Sequence, residues 1–83
     1  MIMNGKKIFD DKKLEGKYAN YFKVGHNAFE FIIDFGQYLP EAEQTMLNVR
    51  IVTAPTYAKV LFKILKDSIN QYEKIYGNIA EEL

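Results

Sequence analysis

The sequence contains no cysteine and carries no net charge, and each absence narrows what the chain can be. Without cysteine, neither a disulfide nor a cysteine-bound zinc can stabilise the fold, so packing or oligomerisation must do so. The missing cysteines also agree with a cytoplasmic protein. Lysine plus arginine and aspartate plus glutamate number 11 each, which is not the strongly basic footprint of a duplex DNA binder.

Long apolar runs are also missing. No stretch approaches the ~20 apolar residues of a transmembrane helix, and residues 1–10 lack the continuous apolar core of a signal peptide. We therefore expect a soluble cytoplasmic protein with no membrane partner. A single chain of 83 residues buries only about 60–65% of its unfolded surface, so a partner subunit would add stability.

The first fifteen residues combine mixed charge with few apolar side chains. Because the charges follow neither a strand nor a helix period, we predict a flexible N-terminal arm over residues 1–15. Ile8 and Phe9 leave open the alternative that the arm adds a short strand to a sheet edge. No repeat or linker divides the remainder, so residues 16–83 are predicted to form a single α+β domain.

Three runs of residues alternate with the period of a β-strand. They cover residues 17–24, 28–35 and 47–52. A Gly-His-Asn turn at 25–27 and a longer connection at 36–46, which leaves room for one helical turn, separate them. This order predicts a three-stranded antiparallel meander. On the second run, the apolar residues that share a face, and that we expect at the centre of the core, are Phe29, Phe31, Ile33 and Phe35.

A long C-terminal helix is predicted over residues 55–76. Proline suits its first position, and Gly77 follows as a left-handed cap. At 100° per residue, an apolar stripe runs along one side, and we expect it to pack on the sheet with Leu61, Leu65 and Ile69 at the centre of the core. The stripe consists of Ala58, Leu61, Phe62, Leu65, Ile69, Tyr72 and Tyr76.

The apolar surface of this helix is wider than one sheet needs, because a flank of further apolar residues lies beside the stripe. A second apolar flank is typical of a helix that also meets another helix, so we predict a homo-oligomer, most simply a dimer. The alternative is that the arm folds back and covers the flank within one chain. The predicted interface residues of the flank are Tyr57, Val60, Ile64 and Ile75.

Residues that could carry catalysis or hold a metal are few. His26 is the only histidine and Ser68 the only serine, and neither lies in a recognised catalytic or metal-binding pattern. Glu30 and Asp34 would lie ~13 Å apart along a strand, too far for a glycosidase pair, so we expect one of them to pair with Arg50 across the sheet. We assign no catalytic, cofactor-binding or metal-binding residue and expect a protein that is not an enzyme.

Lysines and a tyrosine on the first run suggest an alternative function. Lys17, Tyr21 and Lys23 fall on one side of it, with Arg50 on the third run, and aromatic residues among lysines can stack unpaired bases beside phosphate contacts. The alternative is therefore a single-stranded nucleic-acid-binding protein that uses the sheet face. The zero net charge argues against it, because phosphate binding is driven by basic residues.

Several short motifs follow one another along the chain. They are Tyr-Ala-Asn at 18–20, Phe-x-x-Asp-Phe-Gly at 31–36, Arg-Ile-Val at 50–52 and Tyr-Glu-x-x-Tyr-Gly at 72–77. In this order the chain resembles a family of small bacterial proteins classed as a domain of unknown function, over residues 15–79. The resemblance implies the same sheet-and-helix fold and a cytoplasmic bacterial setting, and it implies no catalytic residues.

The order of the elements also has a looser resemblance, to strand-strand-strand-helix modules of single-stranded nucleic-acid binders that dimerise through their helices. Element order alone does not establish function. Taken together, the sequence favours an α+β domain that acts as a non-enzymatic, homo-oligomeric interaction or accessory module, without a cofactor and with an unidentified protein partner.

Overall fold

The structure, a computed structural model, describes residues 14–81. Residues 1–13, which make up most of the predicted arm and include the strand considered for Ile8 and Phe9, lie outside the described residues, as do residues 82–83. The described part has three strands and one long helix, which confirms the predicted α+β fold. The elements are β1 (Tyr21–His26), β2 (Phe31–Leu39), a 3-10 turn (Pro40–Ala42), β3 (Gln44–Thr53) and α1 (Pro55–Tyr76).

The strands form an antiparallel meander with β2 in the middle. Residues directly opposite each other in such a sheet share a face. Phe22 lies opposite Phe35, and Val24 lies opposite Ile33, which in turn faces Ile51 in β3. This register collects the apolar residues on one side, which we name the apolar sheet face. Its members are Phe22, Val24, His26, Phe31, Ile33, Phe35, Val49, Ile51 and Thr53.

The turn between β1 and β2 is organised by Asn27. Its side-chain Oδ1 accepts hydrogen bonds from the amides of Phe29, at 2.8 Å, and Glu30, at 3.0 Å. Such local bonding of an asparagine side chain to the following backbone is a common way to make a turn. The predicted turn at 25–27 is therefore wrong by about two residues. Phe29 belongs to the turn and is 85% exposed, so its predicted place in a core is wrong as well.

A β-bulge interrupts the pairing of β2 with β3. Phe35 faces Val49 and Gly36 faces Leu47, so Asn48 is the extra residue. A Cβ atom at Gly36 would overlap the carbonyl oxygen of Met46, which makes glycine a requirement of this close approach. Both strands continue past the bulge to a short connection, so β2 and β3 are longer than the sequence predicted.

The connection between β2 and β3 contains the helical turn that the sequence left room for. Pro40 begins the 3-10 turn, and the amide of Glu43 donates to its carbonyl oxygen at 3.2 Å. Glu43 has a φ of 48°, in the left-handed region. This conformation reverses the chain direction and starts β3.

The helix has the bounds that the sequence predicted. At its end, the amide of Gly77 donates to the carbonyl oxygen of Glu73 at 3.0 Å. Gly77 has a φ of 94° and a ψ of 169°, which glycine adopts without strain, so glycine ends the helix as predicted but not in the left-handed helical conformation. The side chain of Glu73 also accepts a hydrogen bond from the amide of Ile79 at 2.8 Å. The chain beyond the helix is thus held close to its last turn.

The expected packing of the helix on the sheet of the same chain is not seen. Leu61, Leu65 and Ile69 are 46%, 55% and 39% exposed. The connection explains this, because β3 passes into the helix through Ala54 alone, which is extended (φ −74°, ψ 154°) ahead of Pro55. Within residues 14–81, no apolar side chain is buried; the buried residues there are Asp34 and Gly36.

Candidate functional site

The centre of the sheet face opposite the apolar one holds a close ion pair. Arg50 Nε donates to Asp34 Oδ1 at 2.8 Å, and Nη2 donates to Oδ2 at 2.9 Å. This two-pronged geometry fixes the guanidinium in the plane of the carboxylate. The prediction that Arg50 pairs with Glu30 or Asp34 is confirmed for Asp34, whereas Glu30 lies at the turn before β2.

The ion pair shifts the pKa values of both Asp34 and Arg50. The hydrogen bonds from Arg50 hold the pKa of the Asp34 carboxyl below its ordinary value of 3.8, against the opposing effect of burial and with a smaller contribution from the charge of Lys23. The same hydrogen bonds raise the pKa of Arg50. Asp34 is only 3% exposed, whereas the side chain of Arg50 is 63% exposed, so the pair joins a buried carboxylate to a guanidinium that is open to solvent.

The residues predicted for nucleic-acid contact are only partly brought together. Tyr21 and Lys23 share the face of Asp34 and Arg50, as their register with β2 requires. Lys17 precedes β1 and lines a shallow depression of about 360 Å³ beside Phe35 and other residues of the apolar sheet face. Since Asp34 neutralises Arg50, this set offers less positive charge than the sequence suggested.

Asn20 is a structural residue that the sequence analysis did not identify. Its Oδ1 accepts from the amide of Tyr38 at 2.7 Å, and its Nδ2 donates to the carbonyl oxygen of Tyr38 at 3.2 Å. The side-chain amide therefore reproduces the pair of bonds that a backbone peptide makes in a sheet. The signal in the sequence was an asparagine in the Tyr-Ala-Asn motif, immediately before the first strand.

The apolar sheet face is open to solvent over much of its area. Phe22, Val24 and Ile51 are 58%, 60% and 46% exposed. Phe22 and Phe35 make an edge-to-face contact with ring centroids 5.8 Å apart, and His26 lies over Phe31 at 5.2 Å. His26 was predicted in a turn but lies in β1, on this face. No member of the face carries an aspartate, glutamate, lysine or arginine side chain.

The helix presents a second open surface of the same character. The stripe and the flank adjoin each other and together form what we name the apolar helix arc. All four predicted interface residues of the flank are exposed, from Ile64 at 41% to Ile75 at 72%. The charged residues of the helix lie on the other side of it, and the arc itself carries none. Two uncharged, largely apolar surfaces are therefore the main exposed features of the described chain.

Among residues 14–81, no three histidine, aspartate or glutamate side chains come together as the ligands of a metal ion would. No helix in the described part of the chain is both long and apolar enough to cross a membrane.

A family model matches residues 4–81, nearly the whole chain. Its description is "Protein of unknown function (DUF3467)", and the chain belongs to this family. Comparisons with curated proteins and with solved structures found no match. The family membership confirms the resemblance noted from the motifs and assigns no activity.

Proposed function

We propose that this chain is a non-enzymatic interaction or accessory module of the bacterial cytoplasm, which works as a homodimer and presents that dimer to a protein partner. One observation carries the proposal: the single chain buries no apolar side chain among its described residues. A folded domain owes most of its stability to buried apolar surface. Association is therefore the most direct way for this chain to acquire a core.

The area available is that of a stable interface. The four aromatic side chains of the apolar helix arc remain about half to seven-tenths exposed. Since an aromatic side chain buries roughly 150–250 Å², these four offer on the order of 500 Å². The aliphatic side chains of the same arc add to this, and a stable interface takes about 800 Å² from each partner.

A second copy of the chain is the partner that these surfaces favour. Neither the apolar sheet face nor the apolar helix arc carries a charge that would select a different, oppositely charged partner. Two-fold pairing is the commonest closed symmetry, and it places the same patch of both subunits in contact. We place the helix flank, with Ile64 and its neighbours, at this two-fold contact.

The test is the mass of the protein in solution, measured by light scattering at tens of micromolar. We expect the parent to show twice the chain mass of 9.7 kDa. Ile64→Lys should shift it to the mass of one chain, because a buried charge without a partner opposes association. Asn70→Lys adds the same charge on the charged side of the helix and should leave the dimer intact.

A monomeric parent would contradict the proposal, provided that the mass is unchanged by deleting residues 1–14. If instead that deletion converts a monomer to a dimer, the arm covers the apolar surface within one chain, and the alternative raised by the sequence is correct. A dimer that Ile64→Lys leaves intact would remove the flank from the interface.

Single-stranded nucleic-acid binding is the second candidate, supported by the placement of Tyr21, Lys23 and Arg50 on one face. We expect binding of a labelled oligonucleotide to be absent or weaker than ~100 µM near physiological salt, because the chain lacks the positive charge that drives such association. A fluorescence titration at two salt concentrations tests this. Micromolar binding that weakens with salt and with Tyr21→Ala would make this the preferred function.

A further inference from the structure

We propose that the two chains of the dimer exchange their helices, so that the stripe of each helix lies on the apolar sheet face of the second copy. This inference rests on the proposed homodimer and goes beyond it by assigning an occupant to each open surface. The flank meets the flank of the other helix, and the stripe covers the other sheet.

The two surfaces are matched in chemistry. The apolar sheet face and the stripe both lack aspartate, glutamate, lysine and arginine. Both are exposed in the single chain, as Val24 at 60% and Leu65 at 55% illustrate. Joining them removes apolar surface from water on both sides and buries no charge.

The two surfaces are also matched in size. The nine residues of β2 span ~30 Å at ~3.3 Å per residue. The stripe runs from Ala58 to Tyr76 and spans ~27 Å at 1.5 Å per residue. A helix is ~10 Å wide, which is close to the width of three strands spaced ~4.8 Å apart. One helix therefore covers one sheet.

The connection between β3 and the helix explains why a second copy provides the helix. A helix that folds back over its own sheet usually follows a connection of ~2–6 residues. Here Ala54 alone separates Thr53 from Pro55, and proline holds Ala54 in an extended conformation. Short connections of this kind favour exchange of an element between subunits over closure within one chain.

The flank then has a role of its own. With the stripe on a sheet, Tyr57, Val60, Ile64 and Ile75 lie about a quarter turn or more away from that contact. Since a two-fold axis relates the chains, the two exchanged helices can meet through these residues. The arrangement leaves neither apolar surface in water, and its total area falls in the class of obligate dimers, about 2,000 Å² or more.

Cross-linking tests the exchange directly, because the chain has no cysteine of its own. The variant carries Ile33→Cys, at the middle of the apolar sheet face, and Leu65→Cys, at the middle of the stripe. We expect a short bis-maleimide to join the two cysteines between chains, giving a covalent dimer. A second variant carries Ile33→Cys with Leu61→Cys, one helical turn before Leu65, to allow for a shift of the helix along the sheet.

The control variant pairs Ile33→Cys with Lys63→Cys, on the charged side of the same helix. We expect the covalent dimer to form at least about tenfold faster with the stripe cysteines, because contact raises their effective concentration. Each single variant can be linked only through the same residue of two chains. Ile33→Cys alone therefore shows how much sheet-to-sheet product forms, and Leu65→Cys alone shows how much helix-to-helix product forms.

The outcomes separate this inference from the homodimer itself. An internally linked monomer would mean that each helix lies on its own sheet, and would overturn the exchange. A dimer by light scattering in which neither stripe cysteine reacts faster than the Lys63→Cys control would also overturn it, while leaving the homodimer standing. A parent that is monomeric would remove both.

Discussion

The sheet and the helix of this chain differ in how far contacts within the chain satisfy them. The sheet is organised by interactions within the chain: Asn27 makes its first turn, Asn20 extends its pairing, and the pair of Asp34 with Arg50 spans two strands. The helix begins at a proline, ends before a glycine and carries the apolar helix arc, yet none of its side chains is buried. Local polar bonds within the chain set the register and the turns, whereas the apolar side chains of the described residues are not buried.

The largest expected effect within the sheet comes from Gly36, where the two strands approach most closely. Gly36→Ala should destabilise the protein by ~3 kcal/mol, because the added Cβ overlaps the backbone carbonyl of Met46 and only a backbone shift relieves it. Gly25→Ala is the matched control: nothing lies within 4 Å of its added Cβ. Urea unfolding measures both, and equal effects of the two substitutions would mean that the bulge is not tight.

A smaller effect is expected from Asn20, whose side chain bonds the chain entering β1 to the end of β2. Asn20→Ala removes two hydrogen bonds to Tyr38 and should cost ~1–2 kcal/mol. Asn70→Ala, on the charged side of the helix, should change the free energy of unfolding by less than ~0.5 kcal/mol. If the two variants unfold at the same urea concentration, the bonds of Asn20 do not hold the chain entering β1.

Acid should weaken the sheet through Asp34. A carboxyl whose pKa is lowered in the folded state stabilises that state above its ordinary value of 3.8, and this stabilisation is lost as the pH falls through the lower folded pKa. Asp34→Asn should therefore be less stable than the parent at pH 7, and the difference should shrink at pH 2–3. Arg50→Lys keeps the charge but not the two-pronged geometry, so its stability at pH 7 should lie between that of the parent and that of Asp34→Asn. A difference that stays constant with pH would contradict this role.

The fold was predictable because its main signals are local. Alternation along residues 31–35 identified the central strand, and proline and glycine marked both ends of the helix. The turn was misplaced because Gly25 and His26 have the composition of a turn, whereas the hydrogen bonds of Asn27 decide where the chain reverses. The sequence predicts a loop from Gly36 onward, because the bulge that requires glycine there depends on the partner strand, which the local pattern does not show.

The candidate surfaces were predicted less completely. The width of the apolar helix arc could be read from spacing, and the flank residues are exposed in the single chain. The spacing of apolar residues does not reveal where the helix lies relative to the strand that precedes it. That depends on the single residue Ala54 and on backbone angles, so the separation of the stripe from its own sheet emerged only from the structure.

The bulge at Asn48 also bears on how the sheet avoids open-ended growth. Within the described residues, β3 is an edge strand of ten residues, long enough for another strand to add along it. Exposed edges of that length invite strand addition and fibrous aggregation, and an interruption in the ladder is one way in which proteins prevent it. The extra residue breaks the regular row of amides and carbonyls in mid-strand, so the edge of β3 is a poor template for amyloid-like stacking.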